Sequence, residues 1–317
     1  MRRSPAGAVT SLRGVGLGIE ATPLTGPLEG GSEGASVIVE PLEAGTATMP
    51  PGFAERTGNR FAAAKRAAGI GVPRDDWDTV PIPSFLIRHP SAGLVLVDTG
   101  LHPSAAADPT ESLGRLMGKY FDLGKGMDVP SQLRARGIDP DRIRVVVMTH
   151  MHLDHASAIS EFPNSIFVLS QAEWAAATEP RFPQMQGYEP AQYDHAFDYR
   201  TIDFDRSQAI VSYGPVARTF DLFGDGSIRI AFTPGHSLGH QSVICRLAQR
   251  DFVIAGDAVF NWRQMEGLAE QWRVPDRHAW ARSLGEIQEL RREYPYTVVV
   301  PGHDGGFWKQ LDERYTD

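Results

Sequence analysis

The segment Thr149-His150-Met151-His152-Leu153-Asp154-His155 holds the densest chemistry in the chain. Three of its 10 histidines fall within six positions, with an aspartate among them. The segment follows Ile143-Arg144-Val145-Val146-Val147-Met148, which has the composition of a buried strand. In extended backbone, residues two apart point the same way, so His150 and His152 can offer imidazoles to one metal ion. The chain then turns, and Asp154 and His155 can face a second point nearby. Neutral imidazole and carboxylate are ligands that zinc and similar divalent cations accept.

Three further segments supply more ligands, each at the end of a strand-like run. Phe232-Thr233-Pro234-Gly235-His236-Ser237 offers His236, Ala255-Gly256-Asp257-Ala258 offers Asp257, and Pro301-Gly302-His303-Asp304 offers His303. Small residues beside each ligand let the backbone approach a crowded centre. The single cysteine, Cys245, excludes an intrachain disulfide and a thiolate-rich zinc site. Any metal must therefore rest on histidine and carboxylate. Cys245 follows Val243-Ile244 and reads as a small buried hydrophobe, not a nucleophile.

The elements that must position these groups follow from the patterning. The chain has 317 residues and 42% hydrophobic content, enough for a substantial core. Its 31 basic and 39 acidic residues give a net charge of -8, which argues against a nucleic-acid partner. No stretch approaches the roughly 18 apolar residues of a membrane span. Met1-Arg2-Arg3 invites comparison with an export signal, but the Gly/Pro/Ser/Thr-rich residues that follow lack a continuous apolar region. Residues 1–34 read as a flexible lead, with the cytoplasm as default location and export left open. Residues 35–317 read as a single domain without a strong linker.

Strand-like runs lie at 37–39, 83–88, 94–97, 143–148, 165–169, 228–232, 241–246, 251–255 and 296–300, the second and third joined by the turn 89–93. Helical patterning occurs at 61–68, 111–120, 131–136 and 171–178. Asp276 caps a helix that puts Trp280, Leu284, Ile287 and Leu290 on one face. Residues 179–205 read as an irregular, pocket-shaping insertion. Strand pairs followed by strands alternating with helices occur twice, which suggests two sheets packed face to face with helices outside.

The order H-x-H-x-D-H, PGHS, GD, PGH resembles the metallo-β-lactamase superfamily from about Val37 to Trp308, and within it the N-acyl homoserine lactonases, quorum-quenching enzymes that open a lactone ring. The resemblance implies an α/β protein, an αββα sandwich of two mixed β-sheets flanked by helices. It implies two divalent ions, zinc first, with Mn, Fe or Co accepted by the same donors. His150, His152 and His236 would hold the first ion, Asp154, His155 and His303 the second, and Asp257 would bridge them. Asp98, in Val97-Asp98-Thr99-Gly100, matches an early strand-end aspartate that supports the site from behind. His240 is read as a supporting or structural residue. The bridging Asp257 counts against true β-lactamases, which lack it. One departure stands out: related lactonases often carry a tyrosine three residues after the bridging aspartate, and here that residue is Phe260, which has no hydroxyl to donate.

The expected reaction is attack of metal-bound hydroxide on a lactone carbonyl, with Asp154 carrying the proton to the leaving alkoxide and Asp257 holding the centre together. No G-x-S-x-G serine elbow offers an alternative nucleophile. Among apolar loop residues (Met49, Phe53, Phe121, Met127, Met265), Phe260 and Trp262 are the leading candidates for the substrate pocket because they closely follow Asp257. The expected partner is a small lactone or ester, with a homodimer compatible and no membrane involved. Competing expectations are an arylesterase, phosphotriesterase or glyoxalase II-type thioesterase on the same centre, a di-iron redox protein, for whose usual flavin domain no room remains after Trp308, or a non-catalytic metal-binding module.

Overall fold

In the computed structural model, residues 12–13, 18–181 and 183–317 are described. Two sheets carry the fold. The first runs in the spatial order Leu12–Arg13, Glu20–Pro23, Asp198–Ile202, Ile166–Ser170, Ile143–Val147, Gly93–Val97, Asp78–His89, Ile38–Met49 and Phe121–Asp122. Its strands from Glu20–Pro23 to Gly93–Val97 in that order are mutually parallel, and Asp78–His89 and Ile38–Met49 return antiparallel. The second runs Ile210–Tyr213, Val216–Asp221, Ile228–Phe232, Gln241–Arg246, Asp251–Gly256 and Val298–Pro301, with only the last pair parallel.

The alternation of side chains along each strand builds the layers. Val145 and Val147 join Val95, Val97, Phe85 and Ile87 in facing the second sheet, where they meet Ile230, Val243, Cys245, Phe252 and Ile254. Val146 and Met148 point the other way, beneath Trp174 of helix Gln171–Thr178 and Leu133 of helix Val129–Ala135. On the outer face of the second sheet, Ile244, Val253 and Val299 pack under Trp280, Leu284, Ile287 and Leu290 of helix Arg277–Glu293. Asp276 caps that helix, its carboxylate accepting from the His278 and Ala279 amides. The result is helix, sheet, sheet, helix: an αββα sandwich.

Two readings need correction, and one hairpin is added. Part of the expected flexible lead lies outside the described residues, but Glu20–Pro23 is a strand bonded in parallel to Asp198–Ile202, with Ala21 fully buried. The insertion 179–205 is irregular only in part, because Asp198–Ile202 sits inside the first sheet. The hairpin Ile210–Tyr213 and Val216–Asp221 closes the edge of the second sheet. Among the described residues, no helix is long and apolar enough to cross a membrane.

Candidate metal centre

Strand ends from both sheets deliver the chemistry to one rim. His150, His152, Asp154 and His155 follow the Ile143–Val147 strand, and Asp98 ends the neighbouring Gly93–Val97 strand. His236 follows Ile228–Phe232, Asp257 follows Asp251–Gly256, and His303 follows Val298–Pro301. Glycine makes the crowding feasible. A Cβ at Gly302 would sit 2.4 Å from Asp257 Oδ1, and one at Gly235, where φ is +136°, would sit 2.3 Å from the Trp280 backbone.

The side chains fall into overlapping groups whose ligand atoms lie within 4.8 Å of one another: His150 with His152 and His236, His150 with His155 and Asp257, and Asp154 with His155 and His303. Asp257 faces both sides. Its Oδ2 lies 3.2 Å from His236 Nε2, while Oδ1 lies 3.2 Å from His303 Nε2 and 3.6 Å from His155 Nε2. Asp154 Oδ2 lies 3.7 Å from His303 Nε2 and 3.9 Å from His155 Nε2.

Hydrogen bonds behind the cluster fix which ring nitrogen points inward. The Thr149 hydroxyl donates to Asp98 Oδ2 at 2.7 Å, so its oxygen accepts from His150 Nδ1–H at 3.0 Å. Asp98 Oδ2 also accepts from His155 Nδ1–H at 2.8 Å, and the Pro81 carbonyl accepts from His303 Nδ1–H at 2.8 Å. The Nε2 lone pairs of these rings are left for the centre. His150 Nε2, His155 Nε2 and Asp257 Oδ1 are buried without a hydrogen-bond partner. Buried polar atoms are normally satisfied. Three orphans of ligand chemistry converging on one spot fit a cation.

The protonation energetics agree. Burial, reinforced by the neighbouring His155, holds His150 well below the usual imidazole range; burial and His236 do the same to His152. Burial also opposes charge on His155, but Asp154, Asp98 and Asp257 outweigh it and push that ring up to about 10. Asp257 resists the burial penalty because His303, His236 and His155 surround it, so its carboxyl stays well below the usual range. The rim thus stores positive charge beside its carboxylates wherever a cation is not doing so.

His240 makes its hydrogen bonds behind the cluster. Ser242 donates to the Ala255 carbonyl, so Thr233 donates to Ser242 and accepts from His240 Nδ1–H at 2.9 Å. His240 Nε2 then accepts from the Asp257 amide at 3.0 Å, which leaves no lone pair for a metal. Burial, with His236 nearby, pushes this ring down to about 3 and keeps it neutral.

The pocket candidates divide. Phe260 lines the cleft above the cluster, its ring centroid 4.6 Å from that of His303, and Met49, Phe53 and Phe121 line it too. Trp262 does not. Asn261 caps a short helix, Trp262–Met265, that turns the chain away, so the indole stacks on Phe307 at 5.0 Å and donates to Glu266. Met127 and Met265 lie outside the cleft wall, Met265 in the core beneath helix Arg277–Glu293.

Sequence reasoning missed Glu173. Fully buried, it accepts from the Met151 amide at 2.9 Å, the Ser237 hydroxyl at 2.6 Å and the Gly239 amide at 3.1 Å. It therefore ties the His150–His155 loop to the His236 loop. Its position in a helix, next to a Trp and several alanines, looks like an ordinary solvated face, so no local signal marked it. Gln271 was also missed; its amide donates to the Asp257 carbonyl at 3.1 Å.

Comparison with known proteins agrees with this picture. Residues 77–303 match the metallo-beta-lactamase superfamily. The chain is 31% identical over 244 residues to the N-acyl homoserine lactonase AttM of Rhizobium johnstonii, covering 75% of this chain and 88% of the relative. It is 30% identical over 242 residues to AttM of Agrobacterium fabrum, covering 74% and 88%. Among solved structures, an N-acyl homoserine lactone hydrolase with the product N-hexanoyl-L-homoserine at its catalytic metal centre superposes with a TM-score of 0.68 at 18% identity, covering 87% of this chain and 97% of that one. A dizinc quorum-quenching lactonase, AidC, superposes with a TM-score of 0.54 at 14% identity, covering 88% and 91%. The chain belongs to the metallo-beta-lactamase superfamily, and its resemblance within it is to the N-acyl homoserine lactonases.

Proposed function

We propose that the protein is a binuclear metal-dependent lactonase that opens an N-acyl homoserine lactone-like ring. One observation carries the reading: Asp257 presents one oxygen to His236 and the other to His155 and His303, with unpartnered ligand atoms on both sides. In this reading His150, His152 and His236 would hold one divalent ion and Asp154, His155 and His303 a second, with Asp257 available to both. Zinc fits this nitrogen and oxygen set, as do Mn, Fe and Co. The lactonase names of the AttM relatives and the dizinc centre of AidC support the assignment.

Bound there, such ions supply Lewis acidity for the carbonyl oxygen and an activated water. The chain's own residues do the rest. His150, His155 and His303 are held in one tautomer by Thr149, Asp98 and Pro81, so their geometry needs no rearrangement. Asp154 lines the open cleft as well as the cluster, which suits it to take a proton from the attacking water and deliver it to the leaving alkoxide. The acyl C–O bond breaks, a new C–O bond forms from water, and the product is a hydroxy carboxylate. Phe260, Phe121 and Met49 keep the back of the cleft dry. Phe260 offers no hydroxyl to the carbonyl, so polarisation falls to the centre itself.

The test is a pH-drop assay on a panel of acyl lactones with purified protein. Acid release that stops on chelation and returns with added divalent metal supports the reading. Turnover of aryl esters, organophosphates or S-lactoylglutathione with inert lactones would replace it.

A further inference from the structure

The cleft above the centre encloses about 790 Å³ and has two kinds of wall. Its depth is apolar, with Met49, Phe121 and Phe260 buried and Phe53 and Met117 packed against them. Its mouth is cationic, because Arg56, Arg60, Arg273 and Arg277 all line it and are half-buried or exposed. Among the described residues its only acidic wall residues are Asp154 and Asp257, both committed to the cluster.

Neighbouring carboxylates do not neutralise the mouth. Glu270 pairs with Arg277, and Glu55 pairs with Arg263 at 2.9 Å, outside the cleft wall. Arg56, Arg60 and Arg273 form no ion pair among the described residues; Arg273 donates instead to the uncharged Met185 carbonyl. In a chain of net charge -8, three unpaired guanidinium groups around one opening are a concentrated positive field. Guanidinium is matched in shape and charge to carboxylate.

We infer that the cleft selects an anionic amphiphile: a lactone whose substituent runs along the apolar wall and carries a carboxylate to Arg56, Arg60 and Arg273 at the mouth. This deepens the lactonase reading and rests on it. A neutral alkyl chain would fill the apolar depth equally well but leave the three guanidinium groups without a counter-charge.

The experiment compares two γ-lactones with the same alkyl tail, one ending in a carboxylate and one in a primary amide. The expected ratio of kcat/KM, acid over amide, is about three- to tenfold at low salt, the scale of a few partly exposed ion pairs. It should fall toward one in 0.5 M NaCl (roughly) as screening sets in. It should also collapse in the double variant Arg56→Gln/Arg60→Gln with an unchanged melting temperature. Equal turnover of both lactones, or a ratio that survives in the variant, overturns the inference. A second arm is independent of turnover: calorimetric titration with octane-1-sulfonate, a poor metal ligand. Tighter binding to the native protein than to the double variant supports the charged mouth even if neither lactone is opened, an outcome that would sink only the lactonase reading. Equal binding to both proteins overturns the inference on its own.

Discussion

Asp98 Oδ2 stands 2.8 Å from His155 Nδ1, and the same carboxylate accepts both the amide and the hydroxyl of Thr149 at 2.7 Å. One buried side chain therefore sets the tautomer of His155 directly and of His150 through Thr149, linking ligands assigned to different ions. Its backbone sits at φ +56°, a left-handed conformation uncommon outside glycine, and Ser84 pins its carbonyl at 2.8 Å. That strain is retained because the carboxylate must point at three donors at once.

Replacing this carboxylate should therefore weaken metal binding without touching a ligand. In Asp98→Asn the amide oxygen can accept either from the Thr149 N–H or from the Thr149 hydroxyl and His155 Nδ1–H, and the side-chain NH2 must face the other side. We expect a loss of about 10- to 100-fold in metal affinity or lactonase activity, the usual scale for groups behind a ligand. Competition with a chromophoric chelator measures the first, and unchanged affinity would show that His155 orients itself.

Gly302→Ala probes the crowding of the rim. The new methyl would lie 2.4 Å from Asp257 Oδ1 and 3.0 Å from the Gly256 carbonyl, so the aspartate or the backbone must move. The expected outcome is a folded protein that loses metal on dialysis, read by elemental analysis beside a far-ultraviolet spectrum. Full metal retention would mean that Asp257 is not where the assignment needs it.

The raised His155 gives the metal-free protein a pH signature. Its folded-state pKa of about 10 lies above the ordinary 6.5, so the stability it contributes is complete below 6.5 and is lost as pH rises through 10. His240 works in the opposite sense: pushed down to about 3, it contributes stability above 6.5 that is lost as pH falls toward 3. Melting temperatures of metal-depleted protein should decline on both sides, and His155→Gln should flatten the alkaline limb. Metal loading near pH 8 should also release protons, because a ligating imidazole must give up its proton. Titration calorimetry in buffers of different ionisation enthalpy reads that number, and a value of zero contradicts the assignment of His155.

Glu173→Gln tests the brace between the two ligand loops. Glu173 Oε1 serves Met151, and Oε2 serves Ser237 and Gly239. An amide can accept on only one side, which leaves a buried donor unsatisfied at a cost of about 1–3 kcal/mol. A lowered melting temperature together with weaker metal retention is expected. A stability loss with metal affinity intact would make Glu173 a purely structural residue.

The cluster itself was legible because its chemistry is local in sequence: three histidines and an aspartate after a Val-rich strand, then single ligands beside glycine at other strand ends. The inner strands were legible for the same reason, since Ile143–Val147 and Asp251–Gly256 are nearly all apolar. Two less apolar strands were not. Ile210–Tyr213 has no buried residue and Asp198–Ile202 carries Asp, Arg and Thr, so each becomes a strand through its partners and not through its own pattern. Trp262 misled because nearness in sequence to Asp257 is undone by one helical turn. Glu173 and the cleft arginines lie far from every motif and become recognisable only once the chain has folded.

The most direct test of the whole account is metal stoichiometry with location. Crystals of the purified protein, measured across the absorption edge of the metal found by elemental analysis, should show two ions per chain. One should lie among His150, His152 and His236, the other among Asp154, His155 and His303, with Asp257 touching both. A fully active protein with no metal, or with ions bound away from these seven side chains, would contradict it.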